Sequence, residues 1–335
     1  MSSVQEFTNL ADLASARVGG RAIATNDDFF APKSNLVKAE RAVFIPGKYT
    51  SRGKWMDGWE SRRRRVPGHD WCIVELGMRG VVYGVNVDTS HFTGNFPSHC
   101  SIEAVDMPRG VKTSIHGVEG PPWTTILGKT ALKGDGDNLL PVADRRPWTH
   151  VRLSIYPDGG VARLRVYGEV AVDWASVSGN SVVDLALITN GGLFLAASDL
   201  HYGTRGALVM PGRAKNMGDG WETRRRRGPG HDWAIVRLGH PGVIKKIEID
   251  TNHFKGNYPD RASLEGCYAP GADIEALKSA VWTPIVPETK MAASTRHFFS
   301  GKQLQHTGPF SHVRLNMFPD GGISRLRVHG IITSD

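Results

Sequence analysis

Hydrophobic and polar side chains alternate along several segments of this chain. The segment 150–156 has an apolar residue at every second position, and 161–167 repeats this pattern after the sequence Pro-Asp-Gly-Gly at 157–160. A period of two is typical of a strand with one buried face, and Pro-Asp-Gly-Gly is typical of a turn. The pattern therefore predicts a β-hairpin over these residues, with further strands at 71–76 and 81–87.

The alternating segments occur twice in the chain. Residues 57–77 and 219–239 are identical at 17 of 21 positions, an offset of 219 − 57 = 162, and residues 150–168 and 312–330 match at 13 of 19 positions with the same offset. Solenoid repeats are about 20–50 residues long, so this period is too long for one. Each copy is long enough to form its own hydrophobic core, which indicates a duplicated domain.

These patterns predict an all-β protein of two tandem jelly-roll β-sandwiches that arose by internal duplication. Many short strands with closely spaced turn signals are typical of sandwiches and barrels. We place the first sandwich at residues 20–170, a linker at 171–189 and the second sandwich at 190–332. Apolar residues have helical spacing at 10–17 and 273–280, where we predict short helices.

Composition fits a globular protein and narrows its setting. Of the 335 residues, 40% are hydrophobic and 22% are charged, which is close to average. No apolar run approaches the roughly 18 residues of a membrane-spanning helix, so we expect no membrane partner. The three cysteines form no disulfide framework and favour a cytoplasmic location.

The net charge of +8 favours an anionic partner. The densest clusters of positive charge are two runs of four arginines, at 62–65 and 224–227. Lys and Arg are otherwise spread along the chain rather than gathered in a tail, and a small anionic substrate uses such a field as well as a nucleic acid does. We expect no nucleic-acid partner.

The string Gly-His-Asp-Trp occurs at 68–71 and again at 230–233. Imidazole titrates near neutral pH, so each histidine is a candidate proton shuttle, and each aspartate is a candidate orienting carboxylate. Neighbouring strand residues point to opposite faces, so we do not expect each His to bond the Asp beside it. The structural alternative is a loop-to-strand junction, with Asp as a backbone cap and Trp in the core. The catalytic candidates are His69, Asp70, His231 and Asp232.

A second repeated string, Asp-Thr-x-His-Phe-x-Gly-Asn-x-Pro, begins at residues 88 and 250, where an apolar strand ends. Loops at one end of a sandwich are a usual place for a site. The structural alternative is a turn in which Asp and Asn satisfy backbone amides. The catalytic candidates are Asp88, His91, Asp250 and His253, and the substrate-binding candidates are Asn95 and Asn257.

The arginine runs and one acidic pair complete the candidates. Strand alternation would place the first and third Arg of each run on one side, where one could hold a carboxylate by its fork. The alternatives are a solvated face and ion pairs with Glu60 and Glu222. The acidic pair of the first copy could hold a proton or a divalent cation, although surface acids are commoner. The substrate-binding candidates are Arg62, Arg64, Arg224, Arg226, Asp27 and Asp28.

The sequence has no HExxH, no CxxC pair, no GxSxG and no phosphate-loop string. Metal and nucleophile mechanisms therefore lack support from motifs. We expect neither a metal nor another cofactor.

The strings DGWESRRRRVPGHDW, DTSHFTGNFP and VRLSIYPDGG resemble those of the allantoicase (allantoate amidinohydrolase) family. The resemblance covers nearly the whole chain, includes NDDFFAP at 26–32, and occurs in both halves in the expected order. Family members are tandem jelly rolls of the galactose-binding-like type, so the resemblance implies the fold that the strand pattern predicts.

The resemblance also implies a hydrolase of C–N bonds in linear amidines, which converts allantoate to (S)-ureidoglycolate and urea in allantoin degradation. This chemistry needs a cation for the substrate carboxylate, an acid for the departing urea nitrogen and a base for water. We assign these roles to the arginine runs and to the His and Asp candidates, with Asn95 and Asn257 at the urea carbonyl. The family further implies a homo-oligomer. The duplication leaves three alternatives: a site in each half, one site between the halves, or one live and one degenerate site.

The alternative to an enzyme is a non-catalytic tandem carbohydrate-binding module, in which two copies raise avidity. Such modules are normally exported and present exposed aromatic residues to sugars. The repeated strings of this chain instead retain imidazole and guanidinium groups, which favours the enzyme.

Overall fold

The computed structural model describes residues 7–107 and 122–333. The chain divides into two compact units, Met1–Ala171 and Val172–Asp335. Both units are built almost entirely from β-strands, which confirms the predicted all-β class and tandem repeat. Within the described ranges, no helix has the length and apolar character needed to cross a membrane.

The first unit begins with short 3-10 turns at Phe7–Asn9, Ala16–Val18 and Lys33–Val37. Its described strands are β1 (Ala11–Asp12), β2 (Arg21–Thr25), β3 (Tyr49–Thr50), β4 (Gly53–Lys54), β5 (Trp59–Glu60), β6 (Asp70–Asp88), β7 (His99–Val105), β8 (Thr124–Ala131), β9 (Leu139–Pro141), β10 (Pro147–Tyr156), β11 (Gly160–Val161) and β12 (Arg163–Val170).

The second unit repeats this order. Its described strands are β13 (Val183–Asp184), β14 (Leu193–Ala197), β15 (Tyr202–Gly203), β16 (Trp221–Glu222), β17 (Asp232–Asp250), β18 (Arg261–Cys267), β19 (Thr283–Lys290), β20 (Arg296–Ser300), β21 (Phe310–Phe318), β22 (Gly322–Ile323) and β23 (Arg325–Ile332). It also has 3-10 turns at Trp174–Ser176, Ile188–Asn190, Ala207–Val209, Met217–Asp219 and Gly301–Gln303, and one α-helix, α1 (Ile274–Ser279). Strands β1 and β13 begin before residues 20 and 190, and the predicted repeat boundaries stay a prediction.

The 19-residue strand β6 connects two layers of the first unit. Its first half pairs with β2 and most of β10, and its second half pairs with β9 and β12. These strands form one continuous eight-stranded sheet of order β1-β12-β6-β10-β7-β8, with β2 and β9 also paired to β6, and β17 has the same place in the second unit. The two strands predicted at 71–76 and 81–87 are therefore parts of one strand.

Strand β6 bends sharply in its middle. Gly77 lies so close to the backbone of Val18 that a Cβ would clash, which explains a glycine at this position. An extended strand of this length would span about 60 Å, yet both its ends contact the turn at 157–162. The Asp70 amide donates to the Pro157 carbonyl, and the Ala162 amide donates to the Asp88 carbonyl. The repeated polar strings therefore meet at one end of each sandwich.

The predicted alternation in 150–156 is confirmed. Val151, Leu153 and Ile155 are fully buried, whereas Arg152 and Tyr156 are half-exposed. Ser154, also predicted on the polar face, is an exception because it is buried. Apolar burial of this kind is the main driving force for folding.

One of the two predicted helices forms. Helix α1 lies within 273–280, and its N-terminus is capped by Asp273, whose Oδ1 accepts from the Ala276 amide at 2.8 Å. The helix predicted at 10–17 is wrong. Ala11 and Asp12 form β1 instead, because Asp12 Oδ1 accepts from the Val166 amide of β12 at 3.0 Å and fixes this segment as an edge strand.

A buried ion pair ties the DGWE string of each unit to its own hairpin. Arg163, 1% exposed, contacts the Asp57 carboxylate at 2.7 Å and also donates to the Asp57 carbonyl. Arg325 and Asp219 form the same pair in the second unit at 3.0 Å. Since a buried charge needs a partner, the repeated Asp of DGWE has a structural function.

Candidate active site

The repeated DTxHF string packs against the repeated Pro-Asp-Gly-Gly turn. Phe92 is almost fully buried, and a Cβ at Gly160 would overlap its ring. Phe254 and Gly322 pack in the same way in the second unit. Packing thus explains why Phe follows His and why the turn ends in Gly.

The predicted carboxylates of these strings, Asp88 and Asp250, cap the turns that follow them. Asp88 Oδ1 accepts from the Ser90 amide at 2.8 Å, and Asp250 Oδ1 accepts from the Asn252 amide at 2.9 Å. Both residues are buried. The structural alternative for this string, in which Asp satisfies a backbone amide, accounts for these contacts.

His91 and His253 bind the loop that precedes each DGWE string. Their Nε2 atoms lie 3.2 Å from the Ala42 carbonyl and 2.9 Å from the Ala214 carbonyl, respectively. A carbonyl oxygen only accepts, so Nε2 carries the proton in both contacts. Both residues also have positive φ, 70° and 69°, which is uncommon outside glycine. In the described part of the chain, no contact joins them to the Gly-His-Asp-Trp histidines.

Asn95 and Asn257 contact glutamates. The Asn95 amide donates to Glu60 at 2.6 Å, and the Asn257 amide donates to Glu222 at 2.5 Å. Burial raises the pKa of Glu60, against the opposing effect of the Asn95 hydrogen bond. The predicted arginine pairs with Glu60 and Glu222 are wrong, because these carboxylates are occupied by asparagine amides.

The arginines pair with aspartates instead. Arg62 contacts Asp27 at 2.7 Å, and Arg64 contacts Asp70 at 3.2 Å. The second unit repeats both pairs, as Arg224 with Asp199 at 3.6 Å and Arg226 with Asp232 at 2.5 Å. The segment 61–65 forms no strand, so the expected alternation of the run is also wrong.

The aspartates that follow the two histidines are buried anchors. Asp70 Oδ1 accepts from the Asn26 amide at 2.9 Å, and Asp232 Oδ1 accepts from the Ser198 hydroxyl at 2.9 Å. Among the described residues, the hydrogen bonds of these carboxylates lead to neighbouring loops and not to the adjacent imidazoles, as strand geometry predicts.

The acidic pair of the first unit is divided between two cations. Asp27 contacts Arg62, and Asp28 lies 3.4 Å from Lys33. Among the residues that the structure describes, no group of three or more His, Cys, Asp or Glu side chains could hold a metal ion.

His69 lines a cleft of about 530 Å³ on the solvent face of the sheet β2-β6-β10-β7-β8. We call this the first-unit cleft, and its titratable or hydroxyl-bearing lining residues are His69, Ser101, Glu103, Thr125, Lys129, Arg152 and Tyr156. Trp71 also lines it and is half-exposed, so the prediction that Trp71 lies in the core is wrong. Trp59 and Trp221 are almost fully buried, and Trp148 is buried as well.

The polar groups of the first-unit cleft contact one another. Arg152 pairs with Glu103 at 2.6 Å, and the Tyr156 hydroxyl lies 3.0 Å from the Ser101 hydroxyl. The Lys129 ammonium lies over the Tyr156 ring, 4.5 Å from its centroid, and the His69 ring centroid is 4.8 Å from that of Tyr156. An acid, two cations, an imidazole and three hydroxyls thus lie on one surface.

Partial burial, followed by the positive charges of Arg152 and Arg64, lowers the pKa of His69 below its ordinary value of 6.5. Its imidazole is therefore mainly neutral at pH 7 and can accept a proton. Within the described ranges, no hydrogen bond from a protein group engages its ring nitrogens, so they are open to a ligand. His69 thus combines access from the cleft with ring nitrogens that are open to a ligand.

Sequence reasoning missed Arg152, Tyr156, Glu103 and Lys129. The alternation in 150–156 had placed Arg152 and Tyr156 together on the polar face, and this was a usable signal. Glu103 and Lys129 join them only through the pairing of β7 with β10 and β8, which no local pattern specifies.

Comparison with known proteins identifies the family. The profile of the allantoicase repeat matches residues 11–171 and 183–333. The chain is 50% identical to a probable allantoicase of Burkholderia mallei over 330 residues, 98% of this chain and 96% of the relative. It is 47% identical to a probable allantoicase of Pseudomonas aeruginosa over 327 residues, 97% of this chain and 96% of the relative.

A solved structure gives the same result. The crystal structure of allantoicase from Saccharomyces cerevisiae has a TM-score of 0.82 and 32% sequence identity, and the match covers 97% of this chain and 96% of that one. The two repeats, the full-length sequence similarity and the shared fold agree. This chain belongs to the allantoicase family.

Proposed function

We propose that this protein hydrolyses allantoate to (S)-ureidoglycolate and urea. The observation that carries the proposal is full-length similarity: relatives at 47–50% identity that are named probable allantoicases align over both repeats. The net charge of +8 suits an anionic substrate. No described feature favours the non-catalytic carbohydrate-binding alternative.

The reaction exchanges one bond of the central carbon of allantoate. The C–N bond to one ureido group breaks, and a C–O bond to water forms. Water loses one proton and the departing urea nitrogen gains one, so the net reaction needs no added proton. A group that can both accept and donate a proton near neutral pH is therefore useful, and such catalysis is worth roughly 10²–10⁴ in rate.

Among the predicted residues, we assign the acid–base role to His69. Its neutral imidazole faces the first-unit cleft, whereas the Nε2 atoms of His91 and His253 contact backbone carbonyls. Arg64 and Asp70 position the loop that carries His69, because Arg64 bonds both the Asp70 carboxylate and the His69 carbonyl. The other predicted assignments stay predictions.

Urea release from allantoate tests the proposal. The purified chain is incubated with allantoate, and urea is measured with time at several protein concentrations. We expect release that is proportional to protein and absent with allantoin as substrate. A rate equal to the uncatalysed background at every protein concentration would remove the proposed function.

We further propose that the protein acts in the cytoplasm as a homo-oligomer. Cys72, Cys100 and Cys267 are buried free thiols, which is typical of reducing compartments. Light scattering of the purified chain measures its oligomeric state directly.

A further inference from the structure

The sheet face that forms the first-unit cleft has a counterpart in the second unit. Of the nine residues that line the cleft, five are identical at the equivalent positions. The central ion pair is also repeated, with Arg314 contacting Glu265 at 2.8 Å and lying over the Trp282 ring, as Arg152 lies over Trp123. Both units therefore present the same frame.

The two faces differ in charge. Ala131 pairs with His99 in the first unit, and Lys290 pairs with Arg261 in the second, so Lys129 and Glu288 are equivalent. In the described part of the chain, Lys129 contacts no carboxylate. Since the charges of Arg152 and Glu103 cancel, Lys129 gives the first-unit cleft a net positive charge. Glu288 is instead paired with Arg261.

The two faces also differ in the hydroxyl and amide groups available to a ligand. Phe318 replaces Tyr156 and has no hydroxyl. Asn316 replaces Ser154, and its amide donates to the Ser263 hydroxyl at 3.0 Å and to Glu265 at 2.8 Å. The second unit thus lacks the Tyr156 hydroxyl, and an internal amide already donates to the carboxylate that is equivalent to Glu103.

From this contrast we infer that the first-unit cleft binds a small ureido carboxylate and that the equivalent face of the second unit does not. The inference rests on the proposed hydrolysis of allantoate and places one substrate site in each chain. Lys129 and Arg152 bind the carboxylate, because two cations face it there. The Tyr156 hydroxyl and Glu103 bind the ureido group, which has both a carbonyl acceptor and N–H donors.

The size of the cleft agrees with such a ligand. Small-molecule sites typically enclose about 300–1,000 Å³, and the cleft has about 530 Å³. The lining is mainly polar and charged, which favours a small anion over an apolar ligand.

Equilibrium binding of N-carbamoylglycine tests the inference independently of turnover. This probe has one carboxylate and one ureido group, and it lacks the second ureido group that would leave. We expect calorimetry to give one probe per chain. Lys129→Glu places at this position the residue that the second unit has there. It should lower the affinity for the probe at least tenfold and raise the KM for allantoate by a similar factor.

The matched control is Glu288→Lys at the equivalent position of the second unit. Both side chains lie at the surface of an edge strand, so neither substitution disturbs the core. Probe affinity and KM should change less than twofold in the control. A second variant, Tyr156→Phe, should lower the affinity for the probe severalfold. An unchanged melting temperature of this variant would show that its fold is intact.

The outcomes separate the inference from the proposed function. Two probes per chain, equal effects of Lys129→Glu and Glu288→Lys, or no effect of Lys129→Glu would each overturn the inference while urea release continued. Probe binding that Lys129→Glu abolishes, in a protein that releases no urea, would support the cleft and remove the proposed hydrolysis.

Discussion

The two repeats agree where each sandwich holds itself together and differ on the face that forms the first-unit cleft. The buried Arg–Asp pair, the Phe under the turn and the His-to-carbonyl contact all recur with nearly the same distances. Lys129 and Tyr156, by contrast, become Glu288 and Phe318. Repetition alone therefore does not mark a ligand site, because it includes residues that build the fold as well as His69, Arg152 and Glu103 of the cleft.

This contrast changes the weight given to repeated polar residues. The recurrence of a polar residue in both halves suggests function, because a core needs only apolar character. Here such residues satisfy backbone groups and buried charges at the end of each sandwich, as Asp88 and Asp250 do. The substrate surface is better sought where equivalent frames carry different groups.

The largest expected effect concerns what the repeats share. Asp57→Ala should lower the free energy of unfolding of the first unit by about 3–5 kcal/mol, because it leaves the buried Arg163 guanidinium without its partner. Asp219→Ala should act equally on the second unit. Urea denaturation followed by fluorescence measures both, and losses below about 1 kcal/mol would show that the pairs are not structural.

The second-largest expected effect concerns His69 and its equivalent in the second unit, His231. His69→Asn should lower kcat for allantoate by roughly 10²–10⁴, with little change in KM, because it removes the proposed proton-transfer group. His231→Asn should cause a loss at least tenfold smaller. Equal losses from the two substitutions, measured by urea release, would show that both units catalyse the reaction.

A pH effect follows from a buried histidine of the second unit. Burial, followed by the nearby charge of Arg237, lowers the pKa of His312 to about 4. The folded protein therefore prefers the neutral imidazole, and the unfolded chain binds the proton first as pH falls below about 6.5. Stability should be full above this pH and should decline by up to about 3 kcal/mol between pH 6.5 and 4.

The control for this titration is His312→Gln, which removes the ionisable group. Whatever its stability at pH 7, this variant should lose this part of the slope between pH 6.5 and 4. An unchanged slope, measured by denaturation at several pH values, would assign the acid sensitivity to other groups.

The smallest expected effect concerns the charge around His69. Arg152→Met removes one of the cations that lower the pKa of His69, so this pKa should rise. The matched substitution Arg314→Met should leave the pKa of His69 unchanged. Titration of the imidazole protons by NMR measures both, and a fall in the pKa after Arg152→Met would contradict the proposed electrostatics.

The sequence allowed the fold to be predicted in outline because strand periodicity and turn chemistry are local. It did not predict that 71–76 and 81–87 are one strand, since the bend at Gly77 depends on close approach to Val18. Trp71 was misplaced for a related reason. Its period-two position does not say which of the two faces meets the core, and the smaller Cys72 faces inward.

The candidate site was predicted only in part. His69 could be selected from its residue type, and Arg152 and Tyr156 could be placed on one polar face. Glu103 and Lys129 come from strands that are distant in sequence, so their meeting depends on sheet register. The sequence did not predict the partners of the arginine runs. Asp27 lies in a distant loop, and no sequence pattern indicates that this loop contacts Arg62.

The position of strand β6 between the two layers of its sandwich has a thermodynamic consequence. Since β6 contributes backbone hydrogen bonds to both layers of its sandwich, neither layer can open while keeping its full complement of ladders. Each sandwich thus behaves as one cooperative folding unit. We expect the most slowly exchanging amide hydrogens of the two layers to exchange with solvent at the same rate, through a single global opening.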